Sequence, residues 1–256
     1  MILSMAELTW PEVAEAVATG ATTLILPLGA TEQHGPHLPL GTDTYRAEAL
    51  AERLASIMPN ALVAPTLPVG CSDEHQGFAG LLGLERETLA GVIVDCARRA
   101  TKWGVQQLVV VSAHGGNADA LELAAGRLER ELPHLRVALL GAGTALSDAI
   151  LAVAAADGIP AVAVGLHAGE GETSEMLALR PDLVRMHRAT AGCRDGLKDI
   201  MPRLRRDGLR SVTSTGILGD ATAACADRGH RYLAAEIQAY RDVLRQGPAA
   251  SEGPSR

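Results

Sequence analysis

Residues 31–43 read TEQHGPHLPLGTD and set Glu32, His34, His37 and Asp43 within one short run. Carboxylate and imidazole without thiolate is a donor set that suits Zn²⁺ or Mn²⁺, with Fe²⁺ a third candidate. One such carboxylate is able to bridge two ions a few ångströms apart. Glu32 and His34 are two residues apart, a spacing that points both side chains the same way along an extended segment. Gly35, Pro36, Pro39 and Gly41 make the run a poor helix and a poor strand, so it reads as a loop. Taken alone, it reads about equally well as a solvated loop whose carboxylate caps the next helix, because short motifs recur by chance.

Three further stretches carry comparable side chains. GCSDEH holds Cys71, Ser72, Glu74 and His75; SAHGGN holds His114; LHAGEGETSE holds His167 and Glu172. In SAHGGN the paired glycines allow a tight turn and a close approach of backbone to ligand, and Asn117 is placed to cap the helix that follows. His114 therefore reads as a metal ligand rather than a core histidine. Ser72 or Cys71 beside His75 raises nucleophilic catalysis, yet no G-x-S-x-G elbow is present and no third residue orients the imidazole. Ser72, His75 and His37 are read instead as substrate-side residues. The G-x-G in LLGAGTAL lacks the third glycine and the downstream acid of a dinucleotide site. His134, His187 and His230 lie in helical or polar surroundings and read as surface residues.

Each polar stretch follows a short aliphatic run, and those runs must position the chemistry. TTLILPLG, ALVAPTLPVG, QLVVVSAHGG, LRVALLGAG and PAVAVGLHAG read as buried strands ending in glycine. Between them, helical spacing covers Tyr45–Met58, Glu87–Trp103, Ala118–Glu131 and Ala145–Ala156. A T-x-x-E capping box at Thr9 and Glu12 starts a first helix, and Asp227–Gln246 forms a last one. Strands alternating with helices predict an α/β protein, a mostly parallel sheet covered on both faces. The polar loops then converge at the carboxyl ends of the strands, where open α/β sheets bind their ligands.

Bulk properties narrow the options. The chain of 256 residues is 47% apolar with two Trp, three Tyr and one Phe, which predicts one aliphatic core over residues 1–246. Residues 190–215 read as a loop excursion, and GPAASEGPSR (247–256) as a disordered tail. A net charge of −7 leaves no footprint for nucleic acid or anionic lipid. No apolar run approaches the roughly 20 residues that span a bilayer. Four scattered cysteines without C-x-x-C, and an N-terminus lacking a signal-peptide pattern, point to the cytoplasm.

LPLGATEQHGPHLPLGTD, with GCSDEHQGFAG, SAHGGN, HAGEGETSEMLALRPDLV and GILGDATAA, resembles the creatininase family of metal-dependent amidohydrolases over about residues 20–235. The resemblance implies a three-layer αβα sandwich, a dinuclear metal site and a homo-oligomer, often a hexamer. It implies Glu32, His34, Asp43 and His114 as metal ligands, with Asp43 bridging, and His167 and Glu172 in the family's HAG…ETS segment. Creatininase proper carries a ligating Glu where this chain has Gly116, so Glu172 is the candidate to supply that carboxylate. Its tryptophan lid also has no counterpart here, since Trp10 and Trp103 lie outside residues 143–172. Both departures point away from creatinine itself. The implied reaction is cleavage of an amide-type C–N bond in a small molecule or peptide by a hydroxide bridging two metal ions. His167 is the first candidate to protonate the leaving amine, with Glu74 in reserve. The other readings are a peptidase of the mycofactocin-maturation type, a ring hydrolase of a cyclic ketone, and a non-catalytic metal-stabilised binding protein.

Overall fold

The computed structural model describes residues 2–141 and 144–246. At its centre β2 (Thr23–Leu28) and β4 (Gln107–Ser112) pair in parallel along their whole length, Thr23 opposite Gln107 and Leu28 opposite Ser112. The polar loops after both strands therefore leave the sheet at the same level. β3 (Ala61–Val63) and the two-residue β1 (Leu3–Ser4) extend the sheet on one side, and β5 (Arg136–Leu140) on the other. The order is β1-β3-β2-β4-β5, and every pairing is parallel.

Alternation along the strands builds two cores. Leu24, Leu26, Leu28, Leu108 and Val110 pack against Leu89 and Ile93 of α3 (Arg86–Thr101) and Leu121 and Leu128 of α4 (Ala118–Glu131). Ile25, Val109 and Val111 face the other way, onto Leu50 and Leu54 of α2 (Thr42–Ile57) and Leu233 of α9 (Ala226–Gln246). Burial on both faces explains why these strands are continuous apolar runs rather than alternating ones. The result is the three-layer αβα sandwich.

The first helix, α1 (Trp10–Ala18), starts on the expected capping box, with the Thr9 amide donating to Glu12 Oε2 at 2.6 Å. Other boundaries shift with consequences for the site. α2 begins at Thr42 rather than Tyr45, so Asp43 stands in the first turn of a helix. β3 stops at Val63, because Pro65 and Pro68 withhold the amides a longer ladder needs. PAVAV is not a strand. Ala161–Val164 forms one helical turn, α6, whose Val164 packs with Ala154 of α5 (Thr144–Ala156) and Tyr232 of α9. A run that short carries no period able to separate strand from helix. LHAGEGETSE, read as a loop, opens α7 (Glu170–Leu179), and the supposed excursion at 190–215 contains α8 (Leu197–Asp207). The tail at 247–256 and positions 142–143 of LLGAGTAL lie outside the described residues.

α7 and α9 cross at Gly229, where an added Cβ would collide with the Ser174 carbonyl. Gly229→Ala should destabilise the fold by about 1–3 kcal/mol through overpacking. Urea denaturation reads the loss as a lower midpoint, and an unchanged midpoint would contradict the close crossing.

Candidate metal centre

Four segments deliver the chemistry to one place. The loop after β2 brings Glu32 and His34; the first turn of α2 brings Asp43; the residues just past β4 bring His114; and the turn entering α7, with its first residues, brings His167 and Glu172. Glu32, His34 and Asp43 are essentially inaccessible to solvent. Asp43 faces two ways at once. Its Oδ1 lies 3.2 Å from His34 Nε2, and its Oδ2 lies 3.4 Å from His114 Nδ1. Glu32 Oε2 is 3.2 Å from His114 Nε2, while Glu172 Oε2 is 3.8 Å from His34 Nε2.

Two donor sets thus share one carboxylate: Glu32, Asp43 and His114 form the first, and His34, Asp43 and Glu172 the second. A third grouping joins Glu32, His34 and His167. Both Glu32 oxygens and Asp43 Oδ2 are buried without a hydrogen-bond partner. Each such atom costs about 1–3 kcal/mol when left unsatisfied. Divalent cations would satisfy all three, so the oxygen and imidazole donors present fit a pair of Zn²⁺ or Mn²⁺ ions.

Without a cation, His34 and His114 carry the balancing charge. Burial alone would lower His34, but Asp43, Glu172 and Glu32 outweigh it and lift the imidazole to about 10. Burial favours a neutral Asp43, yet His34, His114 and Arg46 hold it well below the usual carboxylate range. Glu32 is pushed up to about 7, chiefly by burial. His167 falls to about 4, through burial and then the neighbouring His34 charge. A bound dication would supply the positive charge that His34 provides here.

Arg46, on α2 one turn after Asp43, anchors the second donor set from below. Its Nη1 donates to Glu172 Oε1 at 2.9 Å and to the Ala113 carbonyl at 3.1 Å, and its Nε to Glu175 Oε2 at 2.5 Å. Glu236 of α9 approaches Nη2 at 3.7 Å. Asn117 stands at the N-cap of α4, but its side chain makes no cap hydrogen bond. Its amide instead accepts from the Cys71 backbone at 2.9 Å and donates to the Gly29 carbonyl and Ser112 Oγ, both at 3.2 Å, tying three loops together.

The remaining predicted residues separate. Ser72 Oγ lies 3.3 Å from His114 Nε2, and His75 Nε2 lies 3.2 Å from Glu32 Oε1, so both sit inside the cluster. Glu74 stands at its rim, one-third exposed. His37 lies apart, buried, with its Nε2 donating to Thr173 Oγ1 at 2.9 Å. Arg46 and Glu236 lay outside every quoted stretch, while Glu175 and Gln33, whose side-chain amide lies 3.1 Å from His75 Nδ1, lay inside two of them without being singled out. The available signal was spacing, since Asp43–Arg46 and Glu172–Glu175 are i,i+3 pairs on helices.

The creatininase profile, described as creatinine amidohydrolase, matches residues 6–244, and the chain belongs to the creatininase family. The mycofactocin precursor peptide peptidase of Mycobacterium tuberculosis is 39% identical over 238 residues, covering 88% of this chain and 86% of that protein. The creatinine amidohydrolase of Pseudomonas putida is 30% identical over 253 residues, covering 94% and 95%. A crystal structure of creatinine amidohydrolase superposes with a TM-score of 0.78 at 28% identity, covering 96% of this chain and 98% of that one. Solved creatininases of the same similarity include a Mn form and one of Zn-Zn type, with TM-scores of 0.78 and 0.77. The chain is a hydrolase of this family.

Replacing Arg46 by Met should strand Glu175 as a buried unpaired carboxylate and leave Glu172 held only through the Ala168 amide, at a cost of about 3–5 kcal/mol. Denaturation of the metal-free protein measures it, with Arg46→Lys expected in between. A loss below about 1 kcal/mol would show that Arg46 is not the counter-charge of the site.

Proposed function

We propose that this hydrolase cleaves an amide-type C–N bond in a peptide, with a mycofactocin precursor peptide as its substrate. The observation that carries the chemistry is Asp43, whose two oxygens face two separate donor sets. Identity supports the peptide: 39% with the peptidase against 30% with the creatinine amidohydrolase. Gly116, and a stretch from 143 to 172 without tryptophan, also set this chain apart from creatininase.

Glu32, Asp43 and His114 would hold one divalent ion, and His34, Asp43 and Glu172 the other, as Zn²⁺ or Mn²⁺. When bound, such ions polarise a substrate carbonyl and acidify water. The protein supplies proton handling and orientation. His167 Nε2 donates to the Gln33 carbonyl at 2.7 Å, which leaves Nδ1 facing the cluster, 3.7 Å from Glu32 Oε1. A neutral imidazole held this way accepts a proton at Nδ1 and passes it to the departing nitrogen. His75 lies beside Glu32, Ser72 lies beside His114 on the substrate side, and His37 braces Thr173 at the start of α7. Residues 1–246 act as one unit, as a cytoplasmic homo-oligomer, with the hexamer that the family resemblance implies. The four cysteines are all unpaired, which supports a reducing compartment.

The test is metal removal and return. Exhaustive chelation, checked by elemental analysis, should abolish cleavage of the mycofactocin precursor peptide, and added Zn²⁺ or Mn²⁺ should restore it, with products read by mass spectrometry. Full cleavage by verified metal-free protein would overturn the mechanism. Turnover of creatinine with the peptide left intact would overturn the substrate.

A further inference from the structure

Glu74 and Gly116 stand 42 positions apart, and the structure makes them one device. A Cβ built on Gly116 would lie 2.7 Å from Glu74 Oε1 and would collide with the Cys71 carbonyl and His114 Nε2. The space a side chain would need at position 116 is already filled by the 71–75 loop. That loop is fastened to the turn after β4 at two points. The Cys71 carbonyl accepts from His114 Nε2 at 2.8 Å, and the Cys71 amide donates to Asn117 Oδ1 at 2.9 Å. Only a residue without a side chain at 116 lets the loop come this close.

The close approach delivers a carboxylate. Glu74 Oε1 lies 3.8 Å from His114 Nε2 and 3.9 Å from His75 Nε2, at the edge of the Glu32, Asp43 and His114 donor set. That set offers three donors, while Zn²⁺ takes four and Mn²⁺ commonly six. Its unpartnered oxygens, both of Glu32 and Oδ2 of Asp43, are buried. Glu74 is different. It is the carboxylate at this edge that reaches solvent, with a side chain 32% exposed against 0% and 1% for Glu32 and Asp43. It also makes no hydrogen bond that would hold it elsewhere among the described residues.

We propose that Glu74 is the solvent-side carboxylate that completes the Glu32–Asp43–His114 metal site, and that Gly116 is its enabling residue. The inference rests on the metal-dependent reading above and adds a ligand-supplying residue to it. Glu74 would hold this ion from the solvent side, since its carboxylate lies against His114 and His75 rather than His34 or Glu172. Substitution at Glu74 should therefore weaken one ion and spare the other. Substitution at Gly116 should do the same indirectly, by pushing the loop that carries Glu74 outward.

Mn²⁺ titration by calorimetry tests this on metal-free wild type, Glu74→Ala, Glu74→Gln and Gly116→Ala, with thermal melts of each metal-free protein. The wild type should bind two ions per chain. Glu74→Ala should keep its melting temperature and bind one ion as the wild type does, with the other weakened at least about tenfold. Glu74→Gln should lie between, and Gly116→Ala should follow Glu74→Ala. Two ions bound by Glu74→Ala with unchanged affinity would overturn the proposal while leaving the metal-dependent reading intact. A wild type that binds no ion would overturn that reading and this inference together. If Gly116→Ala does not fold, the two Glu74 variants still decide.

Discussion

Asp43 is almost fully buried at the start of α2, with one oxygen turned to His34 and the other to His114. A single carboxylate that has to serve two donor sets fixes much else in the molecule. It requires the loops after β2 and β4 to end at one level, which the parallel register of those strands provides. It requires α2 to begin immediately after the histidine loop, so that a first-turn residue points back at the sheet edge. It also requires positive charge nearby, because an isolated buried carboxylate would take up a proton.

That charge comes from two directions. Above Asp43, His34 and His114 supply it in the metal-free protein, at positions where divalent cations would take over the task. Below it, Arg46 is permanent. It joins α2 to α7 through Glu172 and Glu175 and reaches α9 through Glu236. The lower network ties Glu172 to the helical scaffold, so two members of the second donor set, Asp43 and Glu172, stand on packed helices, while His34 comes from the loop after β2. A separate buried network does similar work where α7 meets α9. There Glu170 accepts from Arg228, Tyr232 and Ser174, at 2.6, 2.6 and 2.5 Å.

Much of this was legible in the amino-acid sequence, for identifiable reasons. Strands buried on both faces leave long aliphatic runs, which is why β2 and β4 were clear, and α4 carried the helical period over its whole length. Glu32, His34, Asp43 and His114 stood out because histidines and acids are rare in glycine-punctuated turns after such runs. PAVAV misled because four apolar residues between Pro160 and Gly165 have no usable period, and only the far end of the run is buried, Val164 packing against α5 and α9. Arg46 was invisible because an arginine on an amphipathic helix normally faces solvent. Only the crossing of α2, α7 and α9 reveals that it is enclosed by acids. The link between Glu74 and Gly116 was hidden for a similar reason, since a missing side chain shows its purpose only when something else occupies its place.

The central claim is that Asp43 is shared between two metal ions. Anomalous diffraction from crystals grown with Mn²⁺ tests it most directly. The account predicts two anomalous peaks about 3.5–4 Å apart, one beside each Asp43 oxygen, the first also reached by Glu32 and His114 and the second by His34 and Glu172. A single peak, or none within coordinating distance of Asp43, would contradict it.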